Sequence, residues 1–238
     1  MDLSHTLNPA LSKELSKKEL LERSGYTSAV LEGLLKRGIL ESYEKEVGRL
    51  QVSVCRLQEP NPLSPAQEKA YGEIHETFKA KEVCLLHGVT SSGKTEIYVR
   101  LIHEVLRLGR QVLYMLPEIA ITTQITERLA KLFGDKLLVY HSKFSDNERV
   151  EVWNKLLHND EPMLVLGVRS SLFLPFKDLG LIIVDEEHEN TYKQQDPAPR
   201  YHARNAALVL AGMHGAKTLL GSATPSFDSC LLYTSDAA

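Results

Sequence analysis

The 238 residues leave room for one large domain or two modest ones, and 43% hydrophobic with 25% charged residues is typical of a globular chain. The net charge of −3 argues against a broadly basic nucleic-acid surface, although not against a local basic patch. The apolar runs are too short to span a bilayer and no signal peptide opens the chain, so we expect a cytoplasmic protein without a membrane partner. The three cysteines are widely spaced, which favours reduced thiols over disulfides or zinc ligands.

The N-terminal segment predicts two short helices followed by an extended stretch. Ser16 and Glu19 have the spacing of a capping box, which begins the first helix. A second helix with one apolar face ends at Gly38, and an extended stretch then runs to about Val54. This is the outline of a winged helix over residues 1–57. Both DNA contact by the second helix and a spacer or protein-docking role stay open.

Residues 58–65 are rich in proline, which predicts a linker before a second domain over residues 66–238. From there onward helical and strand-like segments alternate, a pattern that builds a parallel β-sheet covered on both faces. The predicted buried strands are Val83–His87, Gln111–Leu116, Leu137–His141, Met163–Gly167, Leu181–Val184 and Lys217–Gly221. The predicted helices lie near Pro65–Lys79, Lys94–Leu108, Ile119–Phe133, Ser145–Leu157 and Arg200–Met213. We therefore expect an α/β fold behind the small N-terminal module.

A phosphate-binding loop is the strongest local motif in the sequence. Gly88 to Thr95 form a complete GxxxxGK[ST] pattern that follows one predicted strand and opens a predicted helix. Gly88 and Gly93 let backbone amides surround phosphate oxygens, and the helix N-terminus adds partial positive charge. Lys94 is predicted to reach the β- and γ-phosphates, and the Thr95 hydroxyl to hold Mg²⁺. The motif predicts binding of ATP with Mg²⁺.

Acidic residues follow a second buried strand. Leu181–Val184 leads into Asp185 and Glu186, at the carboxyl end of a strand, where α/β sheets bind ligands. Asp185 suits the Mg²⁺ shell, and Glu186 suits orienting or deprotonating an attacking water. Such a cluster alone is usually a solvated loop. Together with the phosphate-binding loop it indicates a nucleotide hydrolase whose catalytic residues are Lys94, Asp185 and Glu186.

The Asp-Glu-Glu-His sequence at 185–188 resembles the DExH box of superfamily 2 helicases, and other motifs of that group accompany it. Ser222 and Thr224 lie in a Gly-Ser-Ala-Thr-Pro sequence that is similar to the motif linking nucleotide state to lobe movement. Upstream, a Leu-Ser-Pro-Ala-Gln sequence resembles a glutamine motif, which implies that Gln67 reads the adenine edge. The resemblance implies a RecA-like P-loop lobe with a mostly parallel sheet.

Further segments narrow the resemblance to the PriA family of replication-restart helicases. Leu116–Gln124 is similar to motif Ia, which touches the DNA backbone. Arg169 falls where another DNA-contacting motif of the group belongs. The segment 189–204, directly after the DExH box, resembles the aromatic-rich loop of the PriA family. These motifs occur in order over residues 63–226, which makes the combination specific.

The loop after the DExH box carries side chains suited to single-stranded DNA. Tyr192 and Tyr201 are predicted to stack on unpaired bases. Lys193, Arg200 and Arg204 are predicted to contact phosphates. The alternative is a surface loop packed over two half-buried tyrosines. The position of the loop favours a DNA sensor that reports to the hydrolytic carboxylates.

The resemblance also implies partners and missing parts. It implies ATP and Mg²⁺ as cofactors, single-stranded or forked DNA as substrate, primosome proteins and single-stranded-DNA-binding protein as partners, and a bacterial, nucleoid-associated location. The family's second motor lobe, zinc-binding cysteine cluster and N-terminal 3′-end-binding domain have no counterpart here, and the tail 230–238 matches nothing expected. We therefore expect a truncated fragment that binds no zinc, hydrolyses ATP poorly by itself and does not unwind DNA.

Two other functions remain open at this point. Another superfamily 2 DNA translocase, such as a RecG-like enzyme, shares the ATP-site motifs, but the aromatic and basic loop after His188 argues against it. A helix-turn-helix regulator with a P-loop sensor domain accounts for the first half of the chain. A regulator of this kind does not explain the Ser-Ala-Thr motif. The 3′→5′ polarity of a PriA-like helicase rests on the resemblance alone.

Overall fold

The computed structural model describes residues 28–39, 57–89, 92–142 and 144–233. The chain divides into two compact units, Met1–Val47 and Gly48–Ala238. The predicted first helix, the extended stretch after Ile39 and the last five residues of the tail lie outside the described residues. Nowhere in the described ranges is there a helix both long and apolar enough to cross a membrane.

The described part of the first unit is the predicted second helix, α1 (Ser28–Lys36). It ends where expected, because Gly38 adopts the left-handed φ of 67° that glycine tolerates best. The amide of Gly38 donates to the Leu35 carbonyl at 3.1 Å, and the Ile39 amide donates to the Leu34 carbonyl at 3.1 Å. These bonds satisfy carbonyls that the last helical turn leaves unpaired.

The second unit is built on a six-stranded sheet in which every described pairing is parallel. The strands are β1 (Val83–His87), β2 (Gln111–Met115), β3 (Leu137–Tyr140), β4 (Leu164–Gly167), β5 (Leu179–Asp185) and β6 (Lys217–Ser222). Their order across the sheet is β1-β6-β5-β2-β4-β3. The α/β fold predicted from the alternating segments is confirmed.

Helices precede, connect and follow the strands, while a 3₁₀ segment joins β4 to β5. They are α2 (Pro65–Ala80), α3 (Lys94–Arg107), α4 (Thr123–Phe133), α5 (Asp146–His158), α6 (Ala203–His214) and α7 (Phe227–Tyr233). Single 3₁₀ turns cover Glu118–Ala120, Gly134–Lys136, Arg169–Phe173 and Asn190–Tyr192. Capping boxes begin two of the helices: Ser64 pairs with Gln67 before α2, and Ser145 pairs with Glu148 before α5.

The sheet separates two apolar layers, because successive strand residues point to opposite faces. In β2, Val112 and Tyr114 pack into one layer, while Leu113 and Met115 pack into the other. The first layer is completed by α2, α3 and α4, and the second by α5 and α6. Every residue of β2 is buried, which explains why this strand reads as a continuous apolar run.

Two details differ from the sequence-based expectations. The predicted helix from Ile119 begins only at Thr123, because the Thr122 side chain accepts a hydrogen bond from the Ile125 amide at 3.4 Å and caps the helix there. Trp153, whose helical spacing from Val150 and Leu157 indicates a buried face, is 43% exposed on α5. The buried stripe of α5 is formed instead by Val152 and Leu156.

Candidate nucleotide-binding site

The sheet order brings three predicted motifs to one edge. The phosphate-binding loop follows β1, the Ser-Ala-Thr motif ends β6 and the acidic motif ends β5. Because these strands are parallel neighbours in the order β1-β6-β5, all three motifs lie at the same carboxyl edge. The Gly88 amide donates to the Ser222 carbonyl at 3.1 Å, which ties the loop directly to β6.

The phosphate-binding loop surrounds its own lysine. Gly93 has a φ of 80°, a conformation that glycine adopts without strain, and α3 begins at the next residue. Lys94 is only 8% exposed, and its Nζ donates to the carbonyls of Gly88 at 2.7 Å and Val89 at 3.5 Å. Thr95 occupies the first turn of α3 as predicted. Thr90 and Ser91, the middle of the motif, lie outside the described residues.

Gln67 contacts the phosphate-binding loop. Its Oε1 accepts a hydrogen bond from the Ser64 amide at 2.8 Å, and its Nε2 donates to the Gly93 carbonyl at 3.2 Å. A Cβ at Gly93 would lie 2.3 Å from that nitrogen, so a larger residue there would displace the Gln67 amide. The structure thus joins the start of α2 to the loop. The adenine-reading role of Gln67 stays a prediction.

Two buried tyrosines hold Asp185. The Tyr98 hydroxyl donates to Asp185 Oδ1 at 3.0 Å, and the Tyr114 hydroxyl lies 3.3 Å from Oδ2. The Glu186 amide also donates to Oδ1, at 3.1 Å. Burial raises the pKa of Asp185, while the Tyr98 hydrogen bond opposes that rise. Sequence reasoning missed both tyrosines, because they precede Asp185 by 87 and 71 residues.

A cleft of about 290 Å³ lies beside these groups, and its walls combine the loop with the acidic motif. It is lined by Ser92, Gly93, Lys94, Thr95, Glu96, Arg128, Asp185 and Glu186. The Asp185 carboxylate and the Thr95 hydroxyl are oxygen donors of the kind that Mg²⁺ prefers. The helix N-terminus and Lys94 supply the positive charge that phosphate requires. The residues present therefore fit a magnesium-bound nucleotide.

The acidic motif connects to the Ser-Ala-Thr motif through His188. His188 Nδ1 lies 2.7 Å from the Ser222 hydroxyl, which also accepts a hydrogen bond from the Thr224 amide at 3.0 Å. His188 Nδ1 is 3.7 Å from Glu186. Glu186 has a φ of 47°, a left-handed conformation that is uncommon outside glycine and frequent at functional sites. The His188 side chain thus lies between Ser222, a predicted coupling residue, and Glu186, the predicted water-orienting carboxylate.

Glu187 points into a buried polar cluster behind the acidic motif. It is fully buried, and its Oε2 pairs with Arg204 at 2.7 Å. The Ser226 amide donates to its other oxygen at 2.7 Å, and the Ser229 hydroxyl donates to Oε2 at 2.8 Å. The prediction that Arg204 contacts phosphate is wrong, because this side chain is 8% exposed and forms an ion pair with Glu187. Sequence reasoning did not identify Glu187 as a buried carboxylate that pairs with Arg204.

Tyr192 belongs to the core. It is 1% exposed, and its hydroxyl donates to the backbone carbonyls of Asp185 at 2.7 Å and Met115 at 3.2 Å. The predicted stacking of Tyr192 on DNA bases is therefore wrong for this conformation. The Tyr192 hydroxyl instead binds the backbone at the end of β5.

The rest of the loop presents basic and aromatic groups to solvent. Lys193 and Arg200 are exposed, at the two ends of a turn closed by a backbone bridge between Lys193 and His202. Arg169 is half-buried and donates to the Thr191 carbonyl at 3.1 Å. Tyr201 is also half-buried and stacks edge-on against Phe173, with ring centroids 5.2 Å apart. The structure brings Arg169 to this loop and keeps all of these groups outside the nucleotide cleft.

Two family models match the chain. The model described as DEAD/DEAH box helicase matches residues 64–231. The model described as winged helix domain, PriA helicase, Bacteroidota, matches residues 1–47, which confirms the winged-helix interpretation of the N-terminal segment. The boundaries at 1–57, 58–65 and 66–238 stay predictions.

Curated relatives and a solved structure are consistent with these family matches. The chain is 42% identical to the replication restart protein PriA of Bacillus subtilis (strain 168) over 215 residues, which are 89% of this chain and 26% of the relative. It is 45% identical to PriA of Helicobacter pylori (strain J99) over 169 residues, 71% of this chain and 26% of the relative. RecG bound to a three-way DNA junction has a similar fold, with a TM-score of 0.52 and 24% identity, covering 73% of this chain and 22% of RecG. The chain thus spans about a quarter of the length of these PriA relatives.

Proposed function

The chain belongs to the DEAD/DEAH box helicase family, and we propose that it is the first, ATP-binding motor lobe of a PriA-like DNA helicase acting in replication restart. The observation that carries this proposal is the meeting of three motifs at one edge of the sheet. Lys94 follows β1, and Asp185 and Ser222 end β5 and β6, and these three strands are parallel neighbours in the sheet. Each motif thereby reaches the others through a single side chain or backbone bond.

The nucleotide chemistry follows from these positions. Lys94 releases the carbonyls of Gly88 and Val89 and binds the β- and γ-phosphates, which it can reach from the first turn of α3. Thr95 and Asp185 would hold Mg²⁺, which when bound would neutralise charge on the phosphates. Glu186 orients the attacking water and accepts its proton. Gln67, fixed against Gly93, reads the adenine edge.

DNA contacts fall to the exposed side of the loop after the acidic motif. Lys193, Arg200 and Arg169 supply cationic groups for phosphates. Because Tyr192 is buried, base stacking is assigned to Phe173, which is 59% exposed and braced by Tyr201. Single-stranded or forked DNA is therefore the proposed ligand. Translocation from 3′ to 5′ is part of the proposal.

The buried side of the same loop links DNA to hydrolysis. The Tyr192 hydroxyl holds the Asp185 carbonyl, so a displacement of the loop shifts the end of β5. At its other end the loop leads into α6, where Arg204 binds Glu187 beside the catalytic carboxylates. Ser222 and Thr224 pass the nucleotide state onward through His188.

The likeness to PriA relatives also suggests a cellular setting. Primosome proteins and single-stranded-DNA-binding protein are the proposed protein partners, at the bacterial nucleoid. A RecG-like translocase is the less favoured candidate, since RecG is 24% identical and PriA relatives reach 42% and 45%. A regulator with a P-loop sensor is disfavoured by the helicase family match over residues 64–231.

The proposal is tested by nucleotide binding to this chain with and without a single-stranded oligonucleotide. Lys94→Ala removes a charge-assisted contact of about 1.5–3 kcal/mol, so ATP affinity should fall roughly 10- to 100-fold. Single-stranded DNA should change the ATP affinity of the unaltered chain, and the paired reversal Lys193→Glu with Arg200→Glu should abolish that change. Lys155→Glu, an exposed lysine on α5, is the matched control and should not.

Other outcomes separate the parts of the proposal. If Lys94→Ala loses ATP but DNA never alters ATP affinity, the nucleotide site survives and the DNA-sensing role of the loop fails. If a duplex changes ATP affinity and single-stranded DNA does not, a regulator replaces the helicase lobe as the better explanation.

A further inference from the structure

A second cation lines the nucleotide cleft, and no motif of the sequence accounts for it. Arg128 projects from α4 into the cleft formed by the phosphate-binding loop and the acidic motif. Its guanidinium pairs with the carboxylate of Glu96, the residue directly after Thr95. The two side chains are 39% and 26% exposed, so the pair is open to solvent and to an incoming ligand.

Besides Lys94, Arg128 is a second cation of the cleft that can exchange its partner for a ligand. Three carboxylates line the cleft, Glu96, Asp185 and Glu186, against the two cations Lys94 and Arg128. Arg128 is bound to a single carboxylate whose exposure keeps the ion pair weak. A guanidinium presents a planar fork of donors that can bind two oxygens of a phosphate, and here its Nη2 pairs with one oxygen of Glu96, Oε1.

The position of Arg128 favours the terminal phosphate. It shares the cleft with Asp185 and Glu186, the groups expected at the metal and the attacking water.

We propose that Arg128 is a γ-phosphate-binding residue that leaves Glu96 for the terminal phosphate when ATP binds. The inference rests on the proposed function of the cleft as an ATP site. Arg128 lies on α4, whose first two residues end the segment Leu116–Gln124 that resembles a DNA-backbone motif. Exchange of its partner therefore gives the lobe a means of sensing ATP against ADP on the helix behind that segment.

Opposite effects of the two partners distinguish this role from a merely structural ion pair. If the pair only braces α3 against α4, removing either side chain weakens the same contact and the effects share one sign. If Glu96 competes with the phosphate for Arg128, removing Glu96 favours ATP whereas removing Arg128 disfavours it.

The experiment measures the affinity of the whole chain for ATPγS and ADP, each with Mg²⁺, together with thermal unfolding. We expect Arg128→Gln to weaken ATPγS roughly 10- to 100-fold and to leave ADP nearly unchanged, because only ATPγS carries the third phosphate. Glu96→Gln should raise ATPγS affinity, because it removes the group that competes with the phosphate for Arg128. Arg128→Lys should recover part of the loss, since it restores the charge without the fork. Arg107→Gln, which removes an exposed ion pair with Glu59 near the other end of α3, is the matched control and should alter neither affinity.

Equal weakening of ATPγS and ADP by Arg128→Gln overturns the proposal, as does a loss of ATPγS affinity in Glu96→Gln matching that of Arg128→Gln. Lys94→Ala separates this inference from the proposed function. If Lys94→Ala loses both nucleotides while Arg128→Gln loses neither, the ATP site stands and only the role of Arg128 is rejected. If Lys94→Ala binds both nucleotides normally, the cleft is not the ATP site and both proposals fall.

Discussion

At the residue scale, Gly221 controls how closely β6 can approach the tyrosine that holds Asp185. A Cβ at Gly221 would lie 1.8 Å from the Tyr98 hydroxyl oxygen, 3.0 Å from its Cζ and 3.1 Å from Asp185 Oδ1. Tyr98 is fully buried and cannot swing into solvent. The glycine that begins the Ser-Ala-Thr motif thus has a steric function that the motif itself does not reveal.

Gly221→Ala is expected to lower the free energy of unfolding by about 1–3 kcal/mol or more, the range for overpacking a core. Tyr98→Phe removes the nearest clashing atom and should cost about 1.5–3 kcal/mol of its own, since the lost hydrogen bond goes to a carboxylate. The double variant should be clearly more stable than the sum of the single costs predicts. Chemical denaturation of the four proteins checks this, and simple additivity would show that the clash is relieved elsewhere.

At this scale the sequence predicts the positions of groups that lie in short-range patterns. Lys94 and Asp185 could be named because a loop after a strand and an acid after a strand are short-range patterns. The partners of Asp185 could not, because Tyr98 precedes it by 87 residues. Tyr192 was misassigned because an aromatic side chain after a catalytic motif can stack on DNA or fill the core, and only its 1% exposure decides.

At the element scale, strand positions followed the sequence closely because each central strand is a continuous apolar run between turns. All six predicted strands are present, with β5 starting two residues earlier than expected at Leu179. Helical spacing was less informative on α5. Val150, Trp153 and Leu157 share one face by spacing, yet all three are at least 41% exposed. Periodicity identifies a face of a helix but does not say which face the sheet covers.

The Glu187–Arg204 pair joins three elements, since it links the end of β5 to α6 and, through Ser226 and Ser229, to α7. Burial alone would raise the pKa of Glu187, but hydrogen bonds from Arg204, the Ser226 amide and Ser229 hold that pKa below its ordinary value of 4.5. A lowered folded-state pKa stabilises the protein above the unfolded value, and this stabilisation is lost as pH falls through the folded value.

Glu187→Gln should therefore cost about 3–5 kcal/mol at neutral pH, because it leaves Arg204 buried without its counter-charge. The difference in unfolding free energy from the unaltered protein should be full above about pH 4.5 and shrink on further acidification. Denaturation curves at a series of pH values measure it. Glu76→Gln, which removes an exposed ion pair with Lys79, provides the comparison and should show little change. If the difference in unfolding free energy between the two proteins stays constant down to strongly acidic pH, the Glu187 charge contributes nothing to stability.

At the scale of the whole molecule, the order of the strands brings the predicted motifs together. This order could not be predicted from the sequence. Alternating helices and strands predict a parallel sheet, but not that β6 lies between β1 and β5. That order depends on contacts between segments more than 100 residues apart, such as Leu85 with Leu220. It places Ser222 beside both Gly88 and His188, and so connects nucleotide and coupling motifs.

ATP turnover tests whether this lobe works as half of a motor. The described cleft holds Lys94, Asp185 and Glu186, while an arginine finger from a second lobe would add roughly 10³- to 10⁵-fold in turnover. The chain alone should thus turn over ATP slowly with or without single-stranded DNA. Joined to the second lobe of the Bacillus subtilis relative, it should show turnover that single-stranded DNA stimulates.

Two variants assign the stimulated rate to the proposed parts. In the joined protein, Glu186→Gln should retain ATP binding and lose turnover, because the carboxylate acts on water and not on the phosphates. Lys193→Glu with Arg200→Glu should keep the unstimulated rate and lose the response to DNA, because both side chains lie outside the nucleotide cleft. DNA stimulation that persists in the charge-reversed protein would move the sensor away from this loop. Because Tyr192 and Arg204 are buried on the loop's inner side, coupling would then have to start from the Leu116–Gln124 segment and reach the cleft through α4.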